Sequence, residues 1–194
     1  MKASVEYDKL AGKEYTRESV TAHEGAFLAR LAGLVEAEIF VEIGSWVGVS
    51  TIYLAQVLKE RGEGVVYAID PHCGTVLHKR KNPVDTESLL RENLKRFEVE
   101  SFTRVVRKTS LDALMTWGSA IDLLFLDGAH WFKNVREDFF GWSPWVHTEG
   151  IVAFHDYPTR VGVRRVVDEI VRPSGLWDEL GHEQRLIAFR RRRE

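Results

Sequence analysis

Short apolar runs alternate with helical patterns along the chain. The runs predict strands buried in a parallel sheet, and they are Ile39–Ile43, Val65–Ile69, Thr103–Val106, Ile121–Asp127 and Ile151–Phe154. Apolar residues spaced three and four apart predict the helices, marked by Phe27, Leu31 and Leu34; Leu54 and Leu58; Leu90, Leu94 and Phe97; Val135, Phe139 and Trp142; and Val163, Val166, Val167 and Ile170. This alternation predicts an α/β fold. We expect an open, mostly parallel seven-stranded sheet with helices on both faces, closed by an antiparallel C-terminal edge from Trp177–Leu180 and Arg185–Phe189.

Other stretches lack this periodicity. Residues up to about Glu18 are predicted to be polar and irregular, and the block Arg190–Arg193 to be a solvated tail. The polar loop from His72 to Asp85 is long enough to predict a functional lid. Ser110 is the expected N-cap of a short helix through Leu114.

The turn after the first strand predicts a ligand site, because a strand, a glycine turn and a helix leave unpaired N–H groups at a positive helix end. A dinucleotide site needs G-x-G-x-x-G so that the backbone can approach a pyrophosphate. Here Trp46 stands at the middle glycine position, and Glu42 would repel a phosphate but attract an ammonium group. An acid followed by two glycines resembles the first motif of class I S-adenosylmethionine (SAM)-dependent methyltransferases. That resemblance implies cofactor contacts from Glu42, Gly44, Ser45 and Gly48. An ordinary strand-to-helix turn is the alternative.

The composition of the chain limits which binding partners and which cellular compartment we expect. The chain has 194 residues and a formal net charge of −2, which suits one domain over residues 1–194 and gives no electrostatic reason to expect nucleic acid. The single cysteine, Cys73, excludes an internal disulfide and favours a reducing compartment. The chain has no apolar signal segment at its start and no run of membrane-spanning length. We expect a cytoplasmic protein with a small-molecule substrate and no membrane partner. The oligomeric state stays open, with a homodimer as one alternative.

Polar residues follow several of the predicted strands. In an open α/β sheet the ligand lies outside the carboxyl ends of the strands, so these residues are expected to converge there. Asp70, after the second strand, is the expected acceptor for both ribose hydroxyls. Ser110 and Leu111, after the third strand, are expected beside the adenine edge. A turn or helix-cap role is the alternative for any one acid taken alone.

The segment from Leu126 to Tyr157 carries two motifs, LDGAH and FHDY, each at a strand end. At this spacing they resemble the macrolide-sugar and cephalosporin-pathway O-methyltransferase-like proteins, a group of class I SAM-dependent methyltransferases with a Rossmann-like fold. In the metal-dependent members, the first strand end supplies a carboxylate ligand and, three positions on, a histidine base. An acidic pair at the second strand end completes their metal site.

The resemblance implies that Asp127 and Asp156 bind a divalent metal and that His130 is the base. His155 stands where those members have the first carboxylate of the pair. Two carboxylates with open positions suit Mg²⁺, whereas His155 as a nitrogen ligand would favour Mn²⁺ or another transition metal.

We therefore expect transfer of a methyl group from SAM to a hydroxyl of a small acceptor of sugar or natural-product type, assisted by the metal. The transfer is an in-line displacement, for which the enzyme aligns the oxygen with the methyl carbon, while a base removes the hydroxyl proton. A non-catalytic SAM-binding protein is one alternative. The other is a nicotinamide-dependent dehydrogenase, which Trp46 and the missing third glycine disfavour.

Overall fold

A computed structural model describes residues 4–36, 38–73 and 85–193. Its strands are β1 (Ile39–Ile43), β2 (Val65–Ile69), β3 (Thr103–Val106), β4 (Ile121–Leu126), β5 (Val146–Phe154), β6 (Trp177–Glu183) and β7 (Leu186–Arg191). Its α-helices are α1 (Ala22–Ala32), α2 (Val49–Arg61), α3 (Thr86–Arg96), α4 (Ser110–Leu114), α5 (Phe132–Trp142) and α6 (Val161–Val166). The last helix continues as a π turn over Val167–Val171. No helix within the described ranges is long and apolar enough to cross a membrane.

The seven strands form one sheet in the order β3-β2-β1-β4-β5-β7-β6. The first five strands along the chain pair in parallel, while β7 runs antiparallel to both β5 and β6. The predicted architecture is confirmed, with β1 in the interior of the sheet. Parallel neighbours need crossover connections, and the helices between the strands provide them.

The side chains of each strand alternate between two apolar cores, one on each face of the sheet. Phe40 and Phe125 belong to the core that packs against α1, α2 and α3. Val41 and Leu124 belong to the core that packs against α5 and α6. Glu42 lies two positions after Phe40, so its side chain points to the same face of the sheet, which α2 covers.

The structure corrects several boundaries. Leu34 lies beyond the end of α1 and is 58% exposed, so it is not on the buried face. The N-cap of α4 is Thr109, whose Oγ1 accepts a hydrogen bond from Asp112 N at 3.2 Å, and not Ser110. β5 begins at Val146 rather than Ile151, because its first residues pair with β4 across an irregularity in register.

The expectations for both ends of the chain also need correction. The N-terminal segment is packed: Leu10 and Val20 are buried, and 3-10 turns cover Tyr7–Lys9 and Lys13–Glu18. The Arg190–Arg193 block is not wholly a solvated tail, because Arg190 and Arg191 belong to β7, where Arg190 pairs with β5 and Arg191 pairs with β6. An arginine run can conceal a strand in the sequence, because the long side chains carry their guanidinium groups past the sheet to backbone carbonyls, as Arg191 does at the Val146 carbonyl. Of the predicted lid from His72 to Asp85, residues 74–84 lie outside the described residues.

Candidate active site

The turn after β1 depends on two glycines. Gly44 has φ +92°, and a Cβ there would lie 2.2 Å from the carbonyl oxygen of Asp127. Only glycine allows the ends of β1 and β4 to approach so closely. Gly48 has φ +91° and precedes α2, and a Cβ there would lie 2.4 Å from Leu90 Cδ1. The turn is therefore pressed between a neighbouring strand end and α3.

Glu42 is a fully buried acid directly before this turn. Its Oε2 accepts a hydrogen bond from Thr51 Oγ1, while its Oε1 has no hydrogen-bond partner among the described residues. Burial raises the pKa of Glu42 to about 8, the hydrogen bonds of the Ser50 and Thr51 side chains oppose that rise, and the charges of Asp127 and Asp70 add to it. Ser45 Oγ is likewise buried without a partner within the described ranges. Buried polar atoms are rarely left unpaired, so these two atoms mark the turn as a place for a polar ligand.

Asp70 connects the ends of β1 and β2. Its Oδ2 accepts a hydrogen bond from Trp46 N at 2.9 Å, and its Oδ1 accepts one from His72 N at 2.7 Å. Each carboxylate oxygen can accept a second bond, so the predicted ribose contact is compatible with this arrangement. The Trp46 indole donates to the Tyr15 carbonyl at 3.2 Å, which holds the N-terminal segment against the turn.

The two residues predicted beside the adenine differ in their surroundings. Ser110 Oγ accepts a hydrogen bond from Trp142 Nε1 at 2.9 Å and also interacts with the Asp138 carboxyl group. Leu111 is 48% exposed. The hydroxyl of Ser110 is thus engaged with α5, and an adenine contact from either residue stays a prediction.

The ends of β4 and β5 bring Asp127, His130 and Asp156 together. One potential ligand atom from each residue lies within 4.8 Å of the others. His130 Nε2 is 2.9 Å from Asp156 Oδ2, and the His130 side chain is 40% exposed, so the imidazole can reach a bound molecule. Burial opposes ionisation of Asp156, but the hydrogen bond with His130 and the charge of His155 hold its pKa below the usual value. The cluster combines a base candidate with two carboxylates.

His155 has a different environment from that of an open metal ligand. Its Nδ1 lies 3.0 Å from Asp127 Oδ1 and its Nε2 lies 3.2 Å from Glu24 Oε2, and its side chain is only 1% exposed. Burial alone would lower the pKa of His155, but Asp127 and Glu24 raise it to about 10. His155 is therefore a buried imidazolium with both N–H groups donated to carboxylates. Metal binding by His155 stays a prediction that would require one of these bonds to break.

Sequence reasoning missed Glu24 and Arg185. Glu24 is completely buried in the first turn of α1. Burial would raise the pKa of Glu24, but hydrogen bonds from His155 and from backbone N–H groups lower it to about 2. Arg185, in the β6–β7 turn, contacts Glu24 Oε1 through Nε at 3.1 Å and Asp156 Oδ1 through an Nη at 3.1 Å. The T-x-x-E spacing of Thr21 and Glu24 is a capping-box signature, which signals the helix start but not these distant contacts.

The donor set fits a divalent cation. Asp127 Oδ1 faces His155 and Asp156 Oδ1 faces Arg185, while Asp156 Oδ2 lies beside His130 Nε2. Each carboxylate offers one oxygen to the cluster with His130. Three carboxylates (Asp127, Asp156 and Glu24) and two cations (His155 and Arg185) leave one net negative charge when all are ionised. Burial raises the pKa of Asp127, and the charge of His155 opposes that rise. Carboxylate oxygens suit Mg²⁺, and an added imidazole suits Mn²⁺.

The chain is similar in sequence and in fold to known methyltransferases. A family described as a methyltransferase domain matches residues 41–157. A catechol O-methyltransferase of Mycobacterium tuberculosis is 30% identical over 178 residues, which cover 91% of this chain and 68% of that protein. The O-methyltransferase NovP has a similar fold, with a TM-score of 0.76 at 18% identity over 90% of this chain and 81% of that one. The O-methyltransferase TomG from Streptomyces achromogenes, involved in tomaymycin synthesis and solved with SAM, has a TM-score of 0.65 at 19% identity, covering 89% and 82% of the two chains.

Proposed function

The chain belongs to the methyltransferase domain family and is a class I SAM-dependent O-methyltransferase, and from this premise we propose which residues perform the transfer. The cofactor lies on the turn after β1, with its ammonium group at Glu42 and its backbone contacts at Gly44, Ser45 and Gly48. Asp70 accepts the ribose hydroxyls, and Ser110 and Leu111 flank the adenine. Glu42 Oε1 and Ser45 Oγ, which are buried and have no hydrogen-bond partner in the part of the chain that the structure describes, support this placement.

The acceptor is a hydroxyl of a small molecule, of sugar, catechol or other natural-product type. The O–C bond forms as the C–S bond breaks, and the electron pair of that bond stays on sulfur, which leaves S-adenosylhomocysteine. The hydroxyl proton passes to His130. Because His130 Nε2 lies beside Asp156 Oδ2, we assign proton acceptance to Nδ1, and the Asp156 carboxylate then stabilises the imidazolium.

A divalent cation, Mg²⁺ or Mn²⁺, would be held by the Asp127 and Asp156 carboxylates and would lower the pKa of a coordinated acceptor hydroxyl. His155 acts on this site through its hydrogen bond to Asp127 rather than as a ligand. The single observation that carries the proposal is the convergence of Asp127, His130 and Asp156 within 4.8 Å at the ends of adjacent strands.

Trp131 extends the site toward the acceptor. It follows His130 directly, is 79% exposed, and its backbone lies against Gly162, where a Cβ would lie 2.8 Å from the Trp131 carbonyl carbon. An exposed indole beside the base can stack on a sugar or an aromatic ring. This supports a planar or ring-shaped acceptor.

The test is methyl transfer by His130→Ala with a catechol and a sugar-diol acceptor. Turnover should fall by roughly 10²–10⁴-fold, the usual contribution of a general base, with S-adenosylhomocysteine affinity unchanged. His147→Ala is the matched control, because His147 Nε2 is 2.8 Å from Asp122 Oδ1 at the opposite end of the sheet and its side chain is 38% exposed. Excess chelator should abolish turnover of the wild type. Equal turnover in the two variants would contradict the base, and full activity with chelator would contradict the metal. SAM binding without transfer to any hydroxyl would favour the non-catalytic alternative.

A further inference from the structure

Glu24 makes more contacts than its place in a capping box requires. The box itself needs only the bond from Thr21 N to Glu24 Oε2, at 2.7 Å, and the reciprocal bond from Glu24 N to Thr21 Oγ1. Beyond these, the carboxylate accepts hydrogen bonds from the backbone N–H of Arg185 at 2.9 Å, from the Arg185 guanidinium through two nitrogens, and from His155. An isolated carboxylate without solvent exposure is costly unless it is paired and hydrogen-bonded. Glu24 is paired with two cations at once.

Each of these cations also holds one carboxylate of the proposed site. His155 bridges Glu24 to Asp127, and Arg185 bridges Glu24 to Asp156. In both cases only one carboxylate oxygen, Oδ1, takes the bond from the bridging cation. Both bridges start at the buried Glu24 carboxylate. They end at Asp127 and Asp156, whose carboxylates must lie close together to hold a metal.

On the basis of the proposed function, we infer that Glu24 is a positioning residue that fixes the Asp127 and Asp156 carboxylates through His155 and Arg185. Groups that orient metal ligands through hydrogen bonds commonly alter metal affinity or activity by 10–100-fold when they are lost. Asp156 in particular needs such support, because its backbone has φ +61°, an uncommon conformation for a residue other than glycine.

The Glu24–Arg185 pair joins two parts of the chain that lie outside the segment matched by the methyltransferase family. Glu24 precedes residue 41 and Arg185 follows residue 157. Thr21 Oγ1 and Gln184 Oε1 are 2.7 Å apart, so the start of α1 also contacts the β6–β7 turn directly. The N-terminal helix and the C-terminal hairpin thereby act together on the ends of β4 and β5.

Three variants of the full chain test this inference. Glu24→Gln keeps the size of the side chain but cannot accept all of the bonds that the carboxylate accepts. Arg185→Lys keeps the positive charge but cannot contact Glu24 and Asp156 through separate nitrogens. Because the Arg185 side chain is 29% exposed, this variant can still test the inference if Glu24→Gln fails to fold. Asp122→Asn is the matched control: Asp122 is also a buried carboxylate that accepts bonds from two backbone N–H groups and a histidine, but at the other end of the sheet.

The readouts are calorimetric titration of Mg²⁺ in the presence of S-adenosylhomocysteine, and crystal structures of the variants. We expect Glu24→Gln and Arg185→Lys to weaken Mg²⁺ binding by about 10–100-fold, with rotated Asp127 or Asp156 carboxylates and unchanged S-adenosylhomocysteine affinity. Asp122→Asn should lower the melting temperature without weakening Mg²⁺ binding.

Two outcomes would overturn the positioning role: Mg²⁺ affinities of Glu24→Gln and Arg185→Lys equal to that of the wild type, or an equal loss of affinity in Asp122→Asn. Absence of Mg²⁺ binding by the wild type would contradict the metal in the proposed function. The crystal structures would then decide the positioning role alone, because carboxylates unmoved in both site variants contradict it and displaced carboxylates support it.

Discussion

Glu42→Gln should stabilise the ligand-free protein, and by an amount that grows with pH. Burial raises the pKa of Glu42 from 4.5 to about 8, so the folded state holds this proton more tightly than the unfolded state. Stability therefore falls as the pH rises from about 4.5 to about 8 and stays low above that range. The difference between the two pKa values corresponds to a cost of about 1 kcal/mol at pH 5, about 3 kcal/mol at pH 7 and about 5 kcal/mol at pH 9.

Urea unfolding of the wild type and of Glu42→Gln at pH 5, 7 and 9 measures this cost. Subtracting the two curves removes the titration of groups that do not interact with Glu42, so the advantage of the variant should increase by about 4 kcal/mol from pH 5 to pH 9. Asp138→Asn is the control, because its stability advantage should grow over a different pH range. Asp138 is buried, and burial raises its pKa to about 6, so the advantage of that variant should stop growing near pH 6.

Ligand binding should reverse the effect of the charge. The cofactor's ammonium group favours ionised Glu42, so SAM binding to the wild type should release a proton near pH 7 and strengthen as the pH rises toward 8. Calorimetry in buffers with different ionisation enthalpies detects that proton, and Glu42→Gln should bind SAM more weakly without releasing it. A stability difference that is constant from pH 5 to pH 9 would refute the raised pKa. Proton release retained by Glu42→Gln would refute the ammonium contact.

Three further predictions use affinity, stability and kinetics. Asp70→Ala should weaken SAM binding by about 1.5–3 kcal/mol, the range for hydrogen bonds to a charged group, and wild-type affinity in a calorimetric titration would remove Asp70 from the ribose site. Gly44→Ala should lower the free energy of unfolding in urea by more than Gly62→Ala. Both glycines have positive φ, which costs alanine about 1–2 kcal/mol, but a Cβ at Gly62 meets nothing within 4 Å, whereas a Cβ at Gly44 lies 2.2 Å from a carbonyl oxygen. Equal losses in the two variants would mean that the ends of the strands can separate freely. Trp131→Ala should raise the KM of a ring-shaped acceptor by about 2–10-fold, the value of an aromatic contact, with Leu176→Ala, 57% exposed, as the surface control; an unchanged KM would exclude stacking.

The sequence alone predicted the sheet and most of its helices. Periodicity and apolar runs depend on which face of an element is buried, and that information is local. The same holds for the residues after each strand, because parallel strands bring their carboxyl ends to one edge. Asp127 and Asp156 could therefore be predicted to meet although 29 positions separate them, whereas His130 was added by the family resemblance of the LDGAH motif.

Tertiary structure decided which partners those residues have. A histidine after a strand looks the same in sequence whether its nitrogens face a ligand or two carboxylates. The packing of α1 brings Glu24 to Nε2 of His155, and the neighbouring end of β4 brings Asp127 to Nδ1. Glu24 and Arg185 could not be found from local patterns, because 161 positions separate them and a buried charge is identified only by the cation beside it. The motifs thus specified the strand ends, whereas long-range pairing of buried charges determined how their carboxylates are held.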